Sequence, residues 1–362
     1  MTAPDTERGV LWSRVADLPL EIEDYALERL ERAVSSDFLR VSTVLRLRGG
    51  DGHEGLGEDV SYEQEDQLAL QEAGPVQPLA GSWTLESFCD HLGTLDLWPE
   101  PARHDASVLY RVWAYESAAL DLALRQAGLS LQDALQREAR PLTFVVSLRL
   151  GEPATVAPLR ARLDPYPTTR FKLDPTGSWD DALVAQLVET GAVDSVDLKG
   201  LYVGSVVDNP PDPALYRRVA EGFPDAWIED PAIDDDTWPV LEPHQARITW
   251  DANIHSVDDI AGLPFKPRMV NVKPSRLGGL RPLFKAYEYC EANDIMMYGG
   301  GQFELGVGRG QIQYLAATFH PDGPNDVAPG GYNLVEPPAE LPTSPLPVLA
   351  SATGFRWGPN AA

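Results

Sequence analysis

Cysteine is nearly absent: Cys89 and Cys290 are the only two in 362 residues. That excludes a disulfide framework, and no cysteine spacing suits a metal. The scarcity fits a reducing cytoplasm, which is the expected location. Positive charge is also scarce, with 29 Lys and Arg against 55 Asp and Glu, a net charge of −26. So negative a surface repels phosphate backbones and anionic headgroups, so neither nucleic acid nor a membrane is expected as a partner. Solubility, or life in a salty cytoplasm, accounts for most of that charge. No apolar run reaches the ~18–20 residues of a membrane span. The N-terminus, MTAPDTERGVLW, has neither the basic nor the apolar stretch of a signal peptide. Internal repeats and low-complexity tracts are missing too.

What is present is a 43% apolar chain, enough for a sizeable core. Residues 1–140 read as an α+β unit. Phe38 to Arg48 reads as a strand, the turn GGDGHEGLGE follows as in a hairpin, and TLESFCDHL reads as a short helix. Leu109, Val112, Trp113, Leu120, Ala123, Leu124 and Ala127 recur at helical spacing, and Gly128 stands where a C-cap belongs, so a helix is predicted over 106–127. From 141 to 334 short apolar runs (TFVVSLRL, RFKLD, VDSVDL, AWIED, ITWD, MVNVK, IMMYGG) alternate with helical segments such as WDDALVAQLVETG and LRPLFKAYEYCEAND. Such alternation predicts βαβ units, a parallel sheet and closure into a (β/α)-barrel. The Pro-rich tail, 335–362, is expected to be a strap returning over the first domain.

Catalytic groups of a barrel project from the C-terminal ends of its strands. Here those ends carry Lys172, Asp197, Glu229, Asp251 and Lys273 in turn. Three carboxylates suit a hard cation with oxygen ligands, such as magnesium. Two flanking lysines suit proton transfer. Any one of these residues alone would be read as a helix cap or a solvated charge; the ordered set carries the signal. GVGRG at 306–310 lacks the strand–turn–helix context of a dinucleotide loop and is expected to be a tight turn at the barrel mouth. His255 and His320 lack partners at metal spacing and are expected in loops or at the surface.

With these residues in view the chain resembles the enolase superfamily, in particular its muconate lactonizing and o-succinylbenzoate synthase branch. WIEDP at 227–231, VKPSRLGGL at 272–280 and GGGQFELGVGR at 299–309 carry the resemblance, with AYESAALDLALRQAG at 114–128 and GHEGLGE at 52–58 in support. It implies a modified barrel of (β/α)7β type under an α+β capping domain that the C-terminal tail completes. It also implies Asp197, Glu229 and Asp251 as ligands of one Mg2+, for which Mn2+ can substitute, and Lys172 and Lys273 as acid/base groups on opposite faces of the substrate. The family's Lys-x-Lys on the second strand is matched to Arg170-Phe171-Lys172, with Arg170 tuning Lys172. Glu304 resembles a glutamate near the substrate, and Asn253 follows Asp251 in the fifth-strand motif.

The chain departs from the family in two places. The third strand has Asp197-Leu198-Lys199 where the family has Asp-x-Asn, and the fifth has Ala252 where it has a glutamate. The seventh-strand segment lacks the histidine of mandelate racemase-like members. The expected activity is removal of a proton α to the carboxylate of a small molecule. An isomerase (racemase, epimerase or cycloisomerase) is favoured because lysines stand on both faces. The alternatives are a syn-eliminating lyase of the same superfamily and a barrel that binds metal or ligand without turnover. Association with copies of itself is compatible with the sequence.

Overall fold

The computed structural model describes residues 9–33, 39–204, 207–334 and 337–358. In the first part, strands Asp24–Ala33, Leu39–Arg48 and Glu54–Asp59 form an antiparallel sheet, the last two as the expected hairpin. Phe38 and Val335, the expected starts of that strand and of the tail, lie outside the described residues. Helix Asp105–Gln126 packs across the sheet's third strand. The approach is very close: a Cβ on Gly55 would stand 2.2 Å from Ala118 O, and one on Gly57 2.0 Å from Ala114 O. The two glycines of GHEGLGE therefore let helix backbone lie on strand backbone.

In the second part, seven short parallel strands follow in order: Val146–Leu148, Phe171–Leu173, Val193–Asp197, Trp227–Glu229, Ile248–Thr249, Met269–Asn271 and Met296–Tyr298. The first five form one ladder and the last two another. Single contacts join the ladders. Asn271 N donates to Trp250 O at 2.9 Å, while residues 325–326 bridge Phe144 on one side and Gly300 on the other. The segment around Asn325 thus stands as a much reduced eighth strand, and helical segments follow each of the first seven. This is the (β/α)7β barrel with its capping domain. Its strands are near-continuous apolar runs because both faces are covered, by the barrel interior and by the helices.

The tail crosses both parts. Leu346 pairs with Leu142, Phe355 N donates to Asp121 Oδ1 at 2.7 Å, and Arg356 Nε reaches Asp121 Oδ2 at 2.8 Å. Two further contacts lock the cap onto the barrel mouth. Buried Arg40 donates to the carbonyls of Val60, Ser61, Gln302 and Phe303. Glu58 accepts the amides of Leu305, Gly306 and Gly308 at 2.7–3.0 Å. GVGRG is therefore neither a phosphate loop nor a simple turn: it opens helix Val307–Phe319, and its amides serve a carboxylate of the cap. Among the described residues no helix is long and apolar enough to cross a membrane.

Candidate active site

A cavity of about 780 Å³ opens between cap and barrel mouth. Tyr62, Glu63, His104 and Tyr110 of the cap roof it, and Lys172, Lys199, Lys273 and Arg276 line its floor. Under those cations lie Asp197, Glu229 and Asp251, each 0–1% exposed. Barrel geometry explains the stack: alternate residues of a parallel strand point inward, so each strand end delivers one ionisable group to the axis.

The cations and carboxylates interlock. Lys172 Nζ bonds Glu229 Oε1 and stands 3.0 Å from Asp197 Oδ2. Lys199 Nζ bonds Asp197 Oδ2, and its amide donates to Oδ1 at 3.2 Å. Across the barrel, Lys273 Nζ lies 2.6 Å from Asp251 Oδ2 and Arg276 Nη1 3.0 Å from Asp251 Oδ1. Tyr298 OH donates to Glu229 Oε2 at 2.6 Å.

The pKa directions follow from this packing. Burial alone would push the Lys172 ammonium down, but Asp197 and Glu229 more than reverse that and hold it well above an ordinary lysine. Burial lowers Lys273 and, with Arg276 and Lys172 adding to it, outweighs the pull of Asp251. Burial raises Glu229 well above the usual carboxylate range, since Lys172 offsets only part of the cost and Asp197 and Asp251 add repulsion. Asp197 is held low: burial opposes this, and Lys172 and Lys199 overcome it.

The expected residues divide in their placement. Lys172, Asp197, Glu229, Asp251 and Lys273 converge on the cavity floor. Among the described residues, however, the tightest acidic trio is Asp197, Glu229 and Asp230, with ligand atoms within 4.8 Å of one another. Asp251 is not in that trio because its carboxylate is turned to Lys273 and Arg276. Asp230 spends its two oxygens on the amides of Asp251 and Ala252, at 2.8 and 2.9 Å. Burial, aided by repulsion from Asp251 and Asp197, pushes Asp230 to about 7.

Arg170 does not reach Lys172. It bonds Asp194 and the carbonyl of Gly191, where the third strand begins, at the opposite end of the barrel. Asn253 is exposed and outside the cavity lining. Glu304 is buried, accepts Gln302 N at 2.6 Å and pairs with Arg309 at 3.1 Å. His320 is not at the surface: burial pushes it to about 4, and its ring bonds Asn325 Oδ1 at 2.7 Å, bracing the eighth strand. Sequence reasoning missed Asp174, Asp230, Arg276 and Tyr298. Arg276 was findable, because it stands three residues after Lys273 and therefore on the same side of a helical turn.

The domain-of-unknown-function family DUF8230 matches the chain twice, its N-terminal domain over residues 13–134 and its C-terminal domain over 138–334. The chain belongs to the DUF8230 family. This DUF8230 chain is 26% identical over 289 residues to an o-succinylbenzoate synthase of Enterococcus faecalis, covering 76% of each. It is 38% identical to that of Listeria innocua over 86 residues, only 23% of either protein. A dipeptide epimerase from Methylococcus capsulatus, solved with a Mg ion, has a TM-score of 0.64 at 21% identity, covering 86% of this chain and 94% of that one. The muconate cycloisomerase of Pseudomonas fluorescens has a TM-score of 0.64 at 19%, covering 95% and 96%. The DUF8230 fold is thus that of the enolase superfamily, and the expected resemblance to the muconate lactonizing and o-succinylbenzoate synthase branch holds. The buried acidic trio suits a metal ion.

Proposed function

We propose that this chain removes a proton from the carbon next to a carboxylate, with a divalent ion held by Asp197, Glu229 and Asp251 and with Lys273 as the base. The carrying observation is a set of buried oxygen donors at the floor of a cavity sized for a small molecule, with lysines between donors and cavity. An all-oxygen donor set fits Mg2+, or Mn2+ in its place. Asp251 is preferred to Asp230 as third ligand because both Asp230 oxygens already serve backbone amides. When bound, the ion would supply Lewis-acid chemistry at the substrate carboxylate.

The protein's own groups do the rest. Lys273, whose Nζ lies 2.6 Å from Asp251 Oδ2 and whose pKa burial lowers from that of an ordinary lysine, is the group assigned to accept the α-proton. Lys172, enclosed by Asp197 and Glu229, stays charged and steadies the negative charge that develops. Tyr62, Glu63, His104 and Tyr110 of the cap roof the cavity over these groups. A lysine lowered by burial on one side and a lysine fixed between two carboxylates on the other suit loss of a β-group from a single face, so a lyase is preferred here to the isomerase expected from sequence. Curated relatives named o-succinylbenzoate synthase support that order of preference. The isomerase remains the second reading, favoured by Lys172 standing with Asp197 and Glu229 while Lys273 stands across the barrel with Asp251.

Exchange of the α-hydrogen in deuterated water, across N-acyl amino acids, dipeptides, muconolactone-type compounds and acid sugars, tests the assignment. Lys273→Ala should abolish exchange. Lys172→Ala should slow turnover ~10²–10³-fold but leave exchange measurable. Full exchange in Lys273→Ala would remove it as the base, and loss for one enantiomer in each variant would establish the isomerase.

A further inference from the structure

Lys199 holds Asp197 unlike any other pair in the site. From a single residue it satisfies both carboxylate oxygens, Oδ1 through its backbone amide at 3.2 Å and Oδ2 through its ammonium. It does so from a left-handed backbone, φ 56, which non-glycine residues seldom adopt apart from Asn and Asp. An ion approaching Asp197 Oδ2 meets the Lys199 ammonium there, with Lys172 also 3.0 Å from that oxygen.

A second place for the ammonium lies nearby. Asp174 lines the same cavity and is 8% exposed. Its Oδ2 takes Arg149 at 3.0 Å, while its buried Oδ1 has no hydrogen-bond partner among the described residues. The Tyr202 ring, with its centroid 5.0 Å from Lys199 Nζ, offers a cation-binding face beside the ammonium. The side chain is long, flexible and 15% exposed, so it can move.

We infer that Lys199 is a displaceable internal cation: it competes with the divalent ion for Asp197, and when the ion binds its ammonium moves to the vacant oxygen of Asp174. This rests on the metal-binding reading above and adds what sets the affinity. The buried carboxylates are then neutralised in both states, by Lys199 before binding and by the ion after it. Asp174 holds the displaced charge at the cavity wall, ready for an anionic substrate.

Calorimetric titration with Mg2+ on the full chain tests this, with the magnesium-dependent rise in melting temperature as a second readout. Lys199→Asn removes the competing charge and keeps a residue that tolerates the left-handed backbone. It should tighten magnesium binding roughly tenfold or more. Lys199→Arg should stay near the parent. Asp174→Asn, which takes away the second resting place, should weaken binding. Should Lys199→Asn fold poorly, Lys199→Gly meets the same backbone demand without the charge. If the parent binds Mg2+ and both neutral variants bind it no tighter, the inference fails and the metal-binding reading stands. If neither the parent nor the neutral variants bind the ion, both fall together.

Discussion

Two clusters of buried charge, one in the cap and one at the barrel mouth, look alike by burial and differ in every other respect. In the cap, Arg111 and Asp59 are fully buried 2.7 Å apart. Arg111 also donates to the carbonyls of Leu97 and Asp66 and lies 3.5 Å from the Trp98 ring centroid, while Asp59 Oδ1 accepts the amide and hydroxyl of Ser61. Each charge has one partner of opposite sign, and neutral donors and acceptors complete the set. At the barrel mouth the partners are shared. Asp197 faces two lysines, Lys172 faces three carboxylates, Asp197, Glu229 and Asp326, and the side-chain amide of buried Asn271 has no partner among the described residues. Burial of charge does not by itself mark a site. What marks it is shared charge, lysine point charges beside Arg276, and a cavity above.

The comparison breaks most visibly on stability. Arg111→Ala should cost about 3–5 kcal/mol, since it strands a buried carboxylate. A urea unfolding series checks this, and its magnesium-dependent stabilisation should survive wherever the variant remains folded. Removal of one site carboxylate should differ in the magnesium response. Asp251→Asn leaves buried Lys273 and Arg276 short of their carboxylate and so also costs stability, but unlike Arg111→Ala it should erase the shift that saturating Mg2+ gives, about 2.7 kcal/mol at a hundredfold excess over Kd. Asp230→Asn should retain most of that shift, because its carboxylate braces amides instead of holding the ion. If Asp230→Asn erases the shift and Asp251→Asn keeps it, the ligand set is the tight trio itself.

How far each region could be read in advance follows from the same physics. The barrel strands were legible because strands covered on both faces become short apolar runs that end in ionisable residues. The cap strand Asp24–Ala33 was not, since DYALERLERA is built of good helix formers and becomes a strand by pairing with Leu39–Arg48 along its whole length. Within the site, Arg170 and Lys172 share a face by parity, yet two residues along a strand is nearly 7 Å of axis. Sequence fixes the face but not the depth, so Arg170 fell at the barrel base while Asp174, the same distance the other way, reached the cavity. Asp230 and Tyr298 were hidden for another reason: each acts through a contact to a different strand, which no local pattern records.

A third buried charge, on the seam between the two regions, tests the comparison most finely. Glu116, on the long cap helix, accepts the amide of Leu280 at 2.7 Å, where helix Leu280–Ala292 of the barrel begins. Burial pushes its carboxyl to about 7. The Leu280 amide, Cys89 and Arg281 offset this only partly, and Asp90 adds to it. The folded chain therefore keeps a proton between pH 4.5 and about 7 that the unfolded chain has released. Stability associated with that proton is present at low pH and lost as pH rises through about 7. Glutamine mimics the protonated acid at every pH. Glu116→Gln should match the parent at pH 4 and exceed it at pH 8 by up to about 2 kcal/mol, after discounting for relaxation around the ionised group. Thermal melts of both proteins at the two pH values decide it. A gap that grows with pH places Glu116 with the costly, shared charges of the barrel mouth; a gap equal at both values places it with the satisfied charges of the cap, its ionised form paid for by the helix amide alone.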